Sequence, residues 1–317
     1  LALVSTPVLV VGAGQIGTFA AGSLERRGGR VLAGDASPAP GFFSRFSGAR
    51  DATLIELDAL DRESVARAID DHGAEVVVVT AGLVGQACAE NPELAWSVNV
   101  EGAASIGEAA LAANARRLVF VSTLGVYGRP DTDLIDESYA ISPRSEYGRT
   151  KAAAEERLAP LRERGLDVRV LRPCGVYGPL RLGGGSHSAR LIEAALITAT
   201  RQGRVALTSG TGTSEQYLYA RDLADAIAEV ALFEQPLEEQ VFNVAPVEST
   251  SAADLRAALL QVLPEVEVEI RVDDAADDVG SMPPLDAGRI RDALGFEPRF
   301  SLEDGIAAYA REARFVR

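Results

Sequence analysis

The sequence predicts an α/β protein built on a doubly wound parallel sheet, with a smaller region interleaved toward the C-terminus. Three observations carry this. Short apolar runs alternate with amphipathic helical stretches through the first half of the chain. Several of these runs, Val76–Val79 above all, are unbroken β-branched residues, as strands covered on both faces are. A glycine-rich turn follows directly on the first run and opens the first helix.

Taken in order, strands are expected at residues 7–11, 30–34, 53–57, 75–80, 118–122 and 167–171. Helices are expected between them, at 62–71 and 92–113 for example. Repeated βα units of this kind wind helices over both faces of one sheet. After Pro173 the rhythm changes. A Gly/Ser-rich stretch at 182–188 precedes a helix at 189–201, and a second loop lies at 210–214. A sheet-flanking helix at 222–233 and a strand at 241–244 follow, then an acidic strand at 266–272 and a proline-broken loop at 281–284. This divides the chain into a nucleotide-binding domain, 1–173 with 222–247 returning to it, and a substrate-binding region, 174–221 with 248–317. There are no internal repeats and no low-complexity tails.

Composition narrows the function classes. At 317 residues, with 47% hydrophobic and 24% charged residues, the chain reads as a soluble globular protein with a sizeable core. A net charge of −15, with no basic stretch or stripe, argues against nucleic acid and anionic membrane as partners. No apolar stretch approaches the ~20 residues needed to span a bilayer, and the apolar start lacks the basic flank of a signal peptide. Cys88 and Cys174 fit no metal or redox spacing and read as buried free thiols, which suits a cytoplasmic location. With His72 and His187 the only histidines, a histidine-rich metal site is excluded. Asp273, Asp274, Asp277 and Asp278 lack the glycine and glutamate spacing of a calcium loop and read as an acidic turn.

The N-terminal turn is V-V-G-A-G-Q-I-G, with Gly12, Gly14 and Gly17 around Gln15 and Ile16. Strand, loop and helix come in the order a Rossmann dinucleotide site needs, and Asp35 ends the second strand eighteen residues after Gly17. The glycines allow a tight turn, close approach to a pyrophosphate and close helix–strand packing, while the helix N-terminus offers N–H groups to the phosphates. A carboxylate at Asp35 accepts ribose hydroxyls and repels a 2′-phosphate, which favours NAD over NADP. Arg45 and Arg50 are near enough in sequence to keep a 2′-phosphate contact open.

Tyr147 and Lys151 stand four apart in Y-G-R-T-K, on one face of an expected helix. An ammonium beside a phenol favours phenolate and lowers the tyrosine pKa. A phenol tuned in this way can take a proton from an alcohol or return one to a carbonyl. With the cofactor turn upstream, the pair points to redox chemistry at a secondary alcohol.

Together these features resemble the extended short-chain dehydrogenase/reductase family of NAD-dependent epimerase/dehydratase type, over nearly the whole chain. Further matches are L-D-A-L-D at residues 57–61, T-A-G-L at 80–83, N-V-E-G at 99–102, V-S-T-L-G-V-Y-G at 121–128, L-R-P-C-G-V-Y-G-P at 171–179 and L-D-A-G-R-I-R-D-A-L-G-F-E-P near the C-terminus. The resemblance implies Tyr147 as acid/base, Lys151 as the residue that tunes it and holds the nicotinamide ribose, and Thr123 as hydrogen-bond donor to the reacting oxygen. It implies that Asp58 and Ala59 meet the adenine and that Thr80, Ala81 and Gly82 run along the dinucleotide. Asn99 is the structural asparagine of the helix motif, counted also with the cofactor set. Val121, Pro173 and Val176 line the nicotinamide end. Leu83, Gly175 and Gln216 fall at substrate positions beside Thr123 and Tyr147.

The chain also departs from the family. Val11 replaces the first glycine of T-G-x-x-G-x-x-G. Leu124 and Gly125 stand where dehydratases carry Asp-Glu, so a 4,6-dehydratase is disfavoured. Gly175 and Gln216 replace the Asn and Arg that hold a nucleotide-sugar diphosphate, with Arg181, Arg190, Arg204 and Arg221 as candidate substitutes. The reading is an NAD-dependent oxidoreductase for a secondary alcohol or ketone of a sugar-like or polyol-like molecule. A nucleotide-sugar epimerase with retained NAD and a non-catalytic NAD-binding regulator are the alternatives. The resemblance further implies a homodimer through helices at 92–113 and 145–164. Gly183–Gly185 reads as a lid or a plain surface loop, Trp96 as core or interface, and Asp136 and Glu137 as a solvated loop.

Overall fold

A computed structural model of the chain describes residues 5–181, 187–209, 214–272 and 282–313. The run Gly183–Gly185, most of the 210–214 loop and the cluster from Asp273 to Asp278 lie outside the described residues.

Seven parallel strands form the main sheet, in the spatial order Val241–Val244, Asp167–Pro173, Arg117–Val121, Val76–Val79, Thr6–Val11, Gly29–Asp35, Thr53–Glu56. All eight expected strands are present, seven of them in this sheet and the eighth at Glu267–Val272, each within two residues of its expected ends. Order reverses between the first and fourth strands, which opens a crevice beyond their carboxyl ends.

The unbroken apolar runs are explained by burial on two sides. Val76 and Val78 pack into a core with Phe19, Leu24, Leu223 and Ile227, under helices Gln15–Arg26 and Ala220–Leu232. Val77 and Val79 face the opposite core, with Ile69, Ile106 and Leu158 from helices Arg62–His72, Ala103–Ala112 and Glu146–Leu158. A third, smaller core lies among helices His187–Gln202, Ala252–Val262 and Leu302–Glu312 and the strand pair Arg204–Ser209 and Glu267–Val272. Cys88 and Cys174 are free and buried. Among the described residues no helix is long and apolar enough to cross a membrane.

Three expectations need correcting. The helix expected at 92–113 is α-helical over Pro92–Trp96, widens to a π-helix over Ser97–Gly102 and returns to α over Ala103–Ala112. The bulge coincides with Asn99, whose side chain bonds outside its own helix. Trp96 is 44% exposed, which removes it from the core. Glu137 is not solvated: its side chain is 3% exposed, accepts the N–H of Asn243 at 2.7 Å and pairs with Arg289 at 3.3 Å. Burial pushes its carboxyl pKa up.

Candidate active site

A cleft of about 700 Å³ opens at the carboxyl ends of the strands. Its first wall is main chain. Gly12 has φ +103°, and a Cβ there would stand 2.3 Å from the Ala81 nitrogen, so only glycine lets the turn lie against the loop after the fourth strand. A Cβ on Gly14 would meet nothing within 4 Å, so the turn leaves room for a ligand at this point. No side chain caps the helix that begins at Gln15, and its first-turn N–H groups are left for an anion. Asp35 lines the same wall, accepting the Ser37 N–H at 2.9 Å and an Arg181 N–H at 3.0 Å. This is a cradle a dinucleotide fits. Arg45 is turned away, donating to the Glu312 carbonyl, and neither it nor Arg50 lines the cleft.

The second wall carries the reactive groups. Ser145 caps helix Glu146–Leu158 by accepting the Gly148 N–H at 3.0 Å. A Cβ on Gly148 would stand 2.5 Å from the Gly125 carbonyl oxygen. Glycine at this position therefore lets the helix start press on the turn Leu124–Val126, and Tyr147 and Thr123 share the cleft wall. Thr123 Oγ1 accepts the Gly125 N–H at 3.1 Å. A hydroxyl has one proton to donate besides its lone pairs, and that proton remains for a substrate oxygen.

Lys151 lies just behind this surface. It is 3% exposed, donates to the Val121 carbonyl at 2.9 Å and stands 4.6 Å from the Phe120 ring centroid. The Tyr147 ring centroid is farther, at 5.9 Å. Here the expected tuning is not what the geometry produces. Burial raises the Tyr147 pKa above that of a free phenol. Burial likewise lowers Lys151 to about 8. One of the three ammonium N–H groups is donated to the Val121 carbonyl.

Most of the expected cofactor set lines the cleft: Gly12, Gly14, Gln15, Ile16, Gly17 and Asp35 at one end, Thr80, Gly82, Val121, Pro173 and Val176 toward the other. Gly175 lines it too, where a Cβ would stand 2.5 Å from the Ser188 oxygen. Other members of the set lie off the cleft wall. Asp58 is exposed and accepts the Leu60 N–H at 2.9 Å, with Ala59 buried beside it. Ala81 presents backbone to Gly12, and Leu83 has both backbone groups bonded to Asn99.

Asn99 and Gln216 both turn their side chains to the protein, Asn99 as expected of a structural asparagine. Asn99 is 1% exposed, bonds Leu83 on both sides of its amide and donates to Thr150 Oγ1 at 2.9 Å. It locks the loop after the fourth strand to the Tyr147 helix and has no amide hydrogen left for a cofactor. Gln216 is 7% exposed; its amide donates to the Pro246 and Leu285 carbonyls and accepts the Leu285 N–H at 2.7 Å. Its side chain pins two backbone segments, not a substrate. Glu146, Ser188 and Arg181 line the cleft as well. Only Arg181 stood out in the sequence, as one of four candidate arginines, and nothing marked the other two.

Three comparisons bear on this geometry. The model of the NAD dependent epimerase/dehydratase family matches residues 8–245. Among curated proteins, the low-salt glycan biosynthesis protein Agl12 of Haloferax volcanii is 29% identical over 80% of either chain, and the UDP-glucose 4-epimerase of Mycolicibacterium smegmatis is 27% identical over 80% of either chain. Among solved structures, the UDP-glucose 4-epimerase of Thermotoga maritima with UDP-glucose superposes with a TM-score of 0.80 at 26% identity, covering 98% of this chain and 99% of that one. DesIV, the dTDP-glucose 4,6-dehydratase of Streptomyces venezuelae solved with NAD, gives 0.80 at 25% identity, covering 98% and 97%.

Proposed function

The chain belongs to the NAD dependent epimerase/dehydratase family, and from that premise we propose that it is an NAD-dependent oxidoreductase acting at a secondary alcohol or ketone of a sugar-like or polyol-like molecule without a diphosphate. NAD, when bound, supplies the hydride acceptor and donor. Thr123 donates its hydroxyl proton to the reacting oxygen, and Tyr147 takes or returns that oxygen's proton. Lys151 fixes the ribose side of the site and carries the positive charge.

The observation that carries the substrate class is the shortage of cations. Among the described residues Arg181 is the one arginine on the cleft wall, and Asp35 already holds it. Arg190 and Arg204 are exposed and off the wall, and Arg221 is bonded to Glu312 at 2.8 Å. Outside the described residues, 1–4, 182–186, 210–213 and 273–281 contain no lysine or arginine, and 314–317 contain Arg314 and Arg317. A diphosphate needs charge-assisted donors, above all in a protein of net charge −15. At the position of the dehydratase acids stand Leu124 and Gly125, which have no proton to give a leaving hydroxyl.

The test is thermal unfolding of the NAD-loaded protein with UDP, dTDP, GDP and ADP in turn. A ligand that binds only the folded form stabilises by RT ln(1 + [L]/Kd). No shift is expected from any of them, followed by NADH formation on a panel of polyols, sugar acids and hydroxyketones. A clear shift with one nucleotide, and no NADH from any alcohol, would instead make the protein a nucleotide-sugar epimerase, as the relatives' names favour. We further propose a homodimer through the helices at 92–113 and 145–164, the first of which carries Leu94 and Trp96, 48% and 44% exposed; a monomeric mass in light scattering would exclude it.

A further inference from the structure

One charged cluster at the site has no part in the chemistry above. Glu155 lies one turn beyond Lys151 on the same helix and is 8% exposed. Arg172, from the end of the sixth strand, donates to it through Nη2 at 2.6 Å and through Nε to both oxygens at 3.2 Å. Ser122 Oγ donates to the same carboxylate. Arg172 Nη1 donates to Tyr127 Oη at 2.9 Å, and that hydroxyl donates to Asn243 Oδ1 at 2.8 Å.

These residues join three elements that line the cleft. Ser122 precedes Thr123, Arg172 precedes Pro173, and Glu155 shares a helix with Tyr147 and Lys151. A buried ion pair contributes little net stability after desolvation; what it can provide is a fixed arrangement. Lys151 faces few other charges. On its own helix stand Tyr147 and Glu155, and on helix Gln86–Glu90 stands Cys88. The fifth strand presents the Val121 carbonyl and the Phe120 ring, and the sixth strand contributes Arg172, beyond Glu155. Burial raises the Cys88 thiol pKa, so it is neutral near pH 7, and of the two acidic groups that face the ammonium among the described residues Glu155 is the carboxylate.

We propose that Glu155, held by Arg172, is the positioning residue of the site. It ties the Thr123 strand end to the Tyr147 helix through Ser122, and it supplies the negative charge that keeps Lys151 an ammonium.

The proposal rests on Tyr147 and Lys151 being working groups, yet its test needs no substrate. Lys151 is the only lysine in the chain. Protein labelled with [ε-13C]lysine therefore gives one side-chain signal, whose shift against pH reads this charge directly. In wild type the midpoint is expected near 8. In Glu155→Gln it should fall by about one pH unit, a tenfold weaker hold on the proton, and Glu155→Asp should restore it. An unmoved midpoint in Glu155→Gln would overturn the proposal. So would a wild-type midpoint below neutrality, which requires no variant to fold. The tie is read separately by hydrogen exchange of Ser122→Ala, which leaves the ion pair in place. Exchange should rise in both 117–128 and 146–158 with the lysine midpoint unmoved; a rise in neither segment would overturn the tie. If no alcohol or ketone on the panel turns over, the function proposed above fails while these readings still decide the role of Glu155.

Discussion

The two ends of the cleft meet a ligand with different parts of the chain. Around Gly12, Gly14 and Gly17 the wall is backbone: Gly12 and Gly17 lie so close to neighbouring main chain that a Cβ would collide, and Gly14 leaves open space. Around Gly175 and Gln216 the side chains that could have met a substrate are absent or turned to the protein itself: Gln216 holds Pro246 and Leu285. A backbone site keeps its ligand class as long as the fold stands, whereas a side-chain site can be reassigned by a few substitutions. On the function proposed above, that contrast is how a shared dinucleotide cradle would serve a different substrate.

Tyr147→Phe would break the comparison most severely, since the phenol stands where the two ends meet. Loss of the acid/base should reduce turnover by about 10²- to 10⁴-fold, with NAD affinity little changed. Turnover within a few-fold of wild type would remove Tyr147 from the chemistry. The pH profile sharpens the point. With Lys151 titrating near 8, its ammonium is present below that pH and lost above it, so activity should decline on the alkaline side of 8.

Next in size is Gly12→Ala. The residue would take φ +103° and press on Ala81, and backbone strain of this kind costs about 1–3 kcal/mol. NAD affinity should fall about 10- to 100-fold in isothermal titration, with the unfolding temperature lowered as well. A wild-type affinity would mean that the turn tolerates a side chain and that the cradle is not backbone-limited.

The difference between the ends also governs what could be read from residues alone. Val76–Val79, the glycine turn and Asp35 were legible because local chemistry dictates their role: a run buried on both faces, a positive φ, a carboxylate at a strand end. Thr123, Tyr147 and Lys151 were legible as a set, but not the charge balance among them, which depends on how deeply the fold buries the pair. Counting Asn99 with the cofactor and Gln216 with the substrate meets a shared difficulty. An amide can bond a ligand or a backbone, and only tertiary contacts with Leu83, Thr150 and Leu285 decide which. Glu137 was given to solvent because nothing local announces its bond to the distant Asn243 N–H.

Gln216→Leu tests the substrate end from this angle. It removes one acceptor and two donated bonds from buried backbone, and such losses cost about 1–3 kcal/mol, so the unfolding temperature should fall by several degrees. If the side chain serves only the fold, KM for the substrate found on the panel stays within twofold. A tenfold rise in KM with normal stability would put Gln216 back at the substrate and erase the contrast between the two ends.

Arg181 crosses between them, from the substrate-side segment to Asp35 on the cofactor wall, as Gln15 does in the other direction to the Gly178 carbonyl. Its side chain is 28% exposed, and ion pairs this accessible contribute about 0–1 kcal/mol, so Arg181→Ser should be the smallest effect. Its sign is informative. The guanidinium offsets part of the charge with which Asp35 repels a 2′-phosphate, so without it NADP should bind up to about fivefold more weakly while NAD changes by less than about twofold. Added salt should shrink the difference, because screening acts on accessible charges first. If NAD loses as much affinity as NADP, Arg181 must contact a part the two dinucleotides share, and the substrate-side segment would then belong to the cofactor cradle as well.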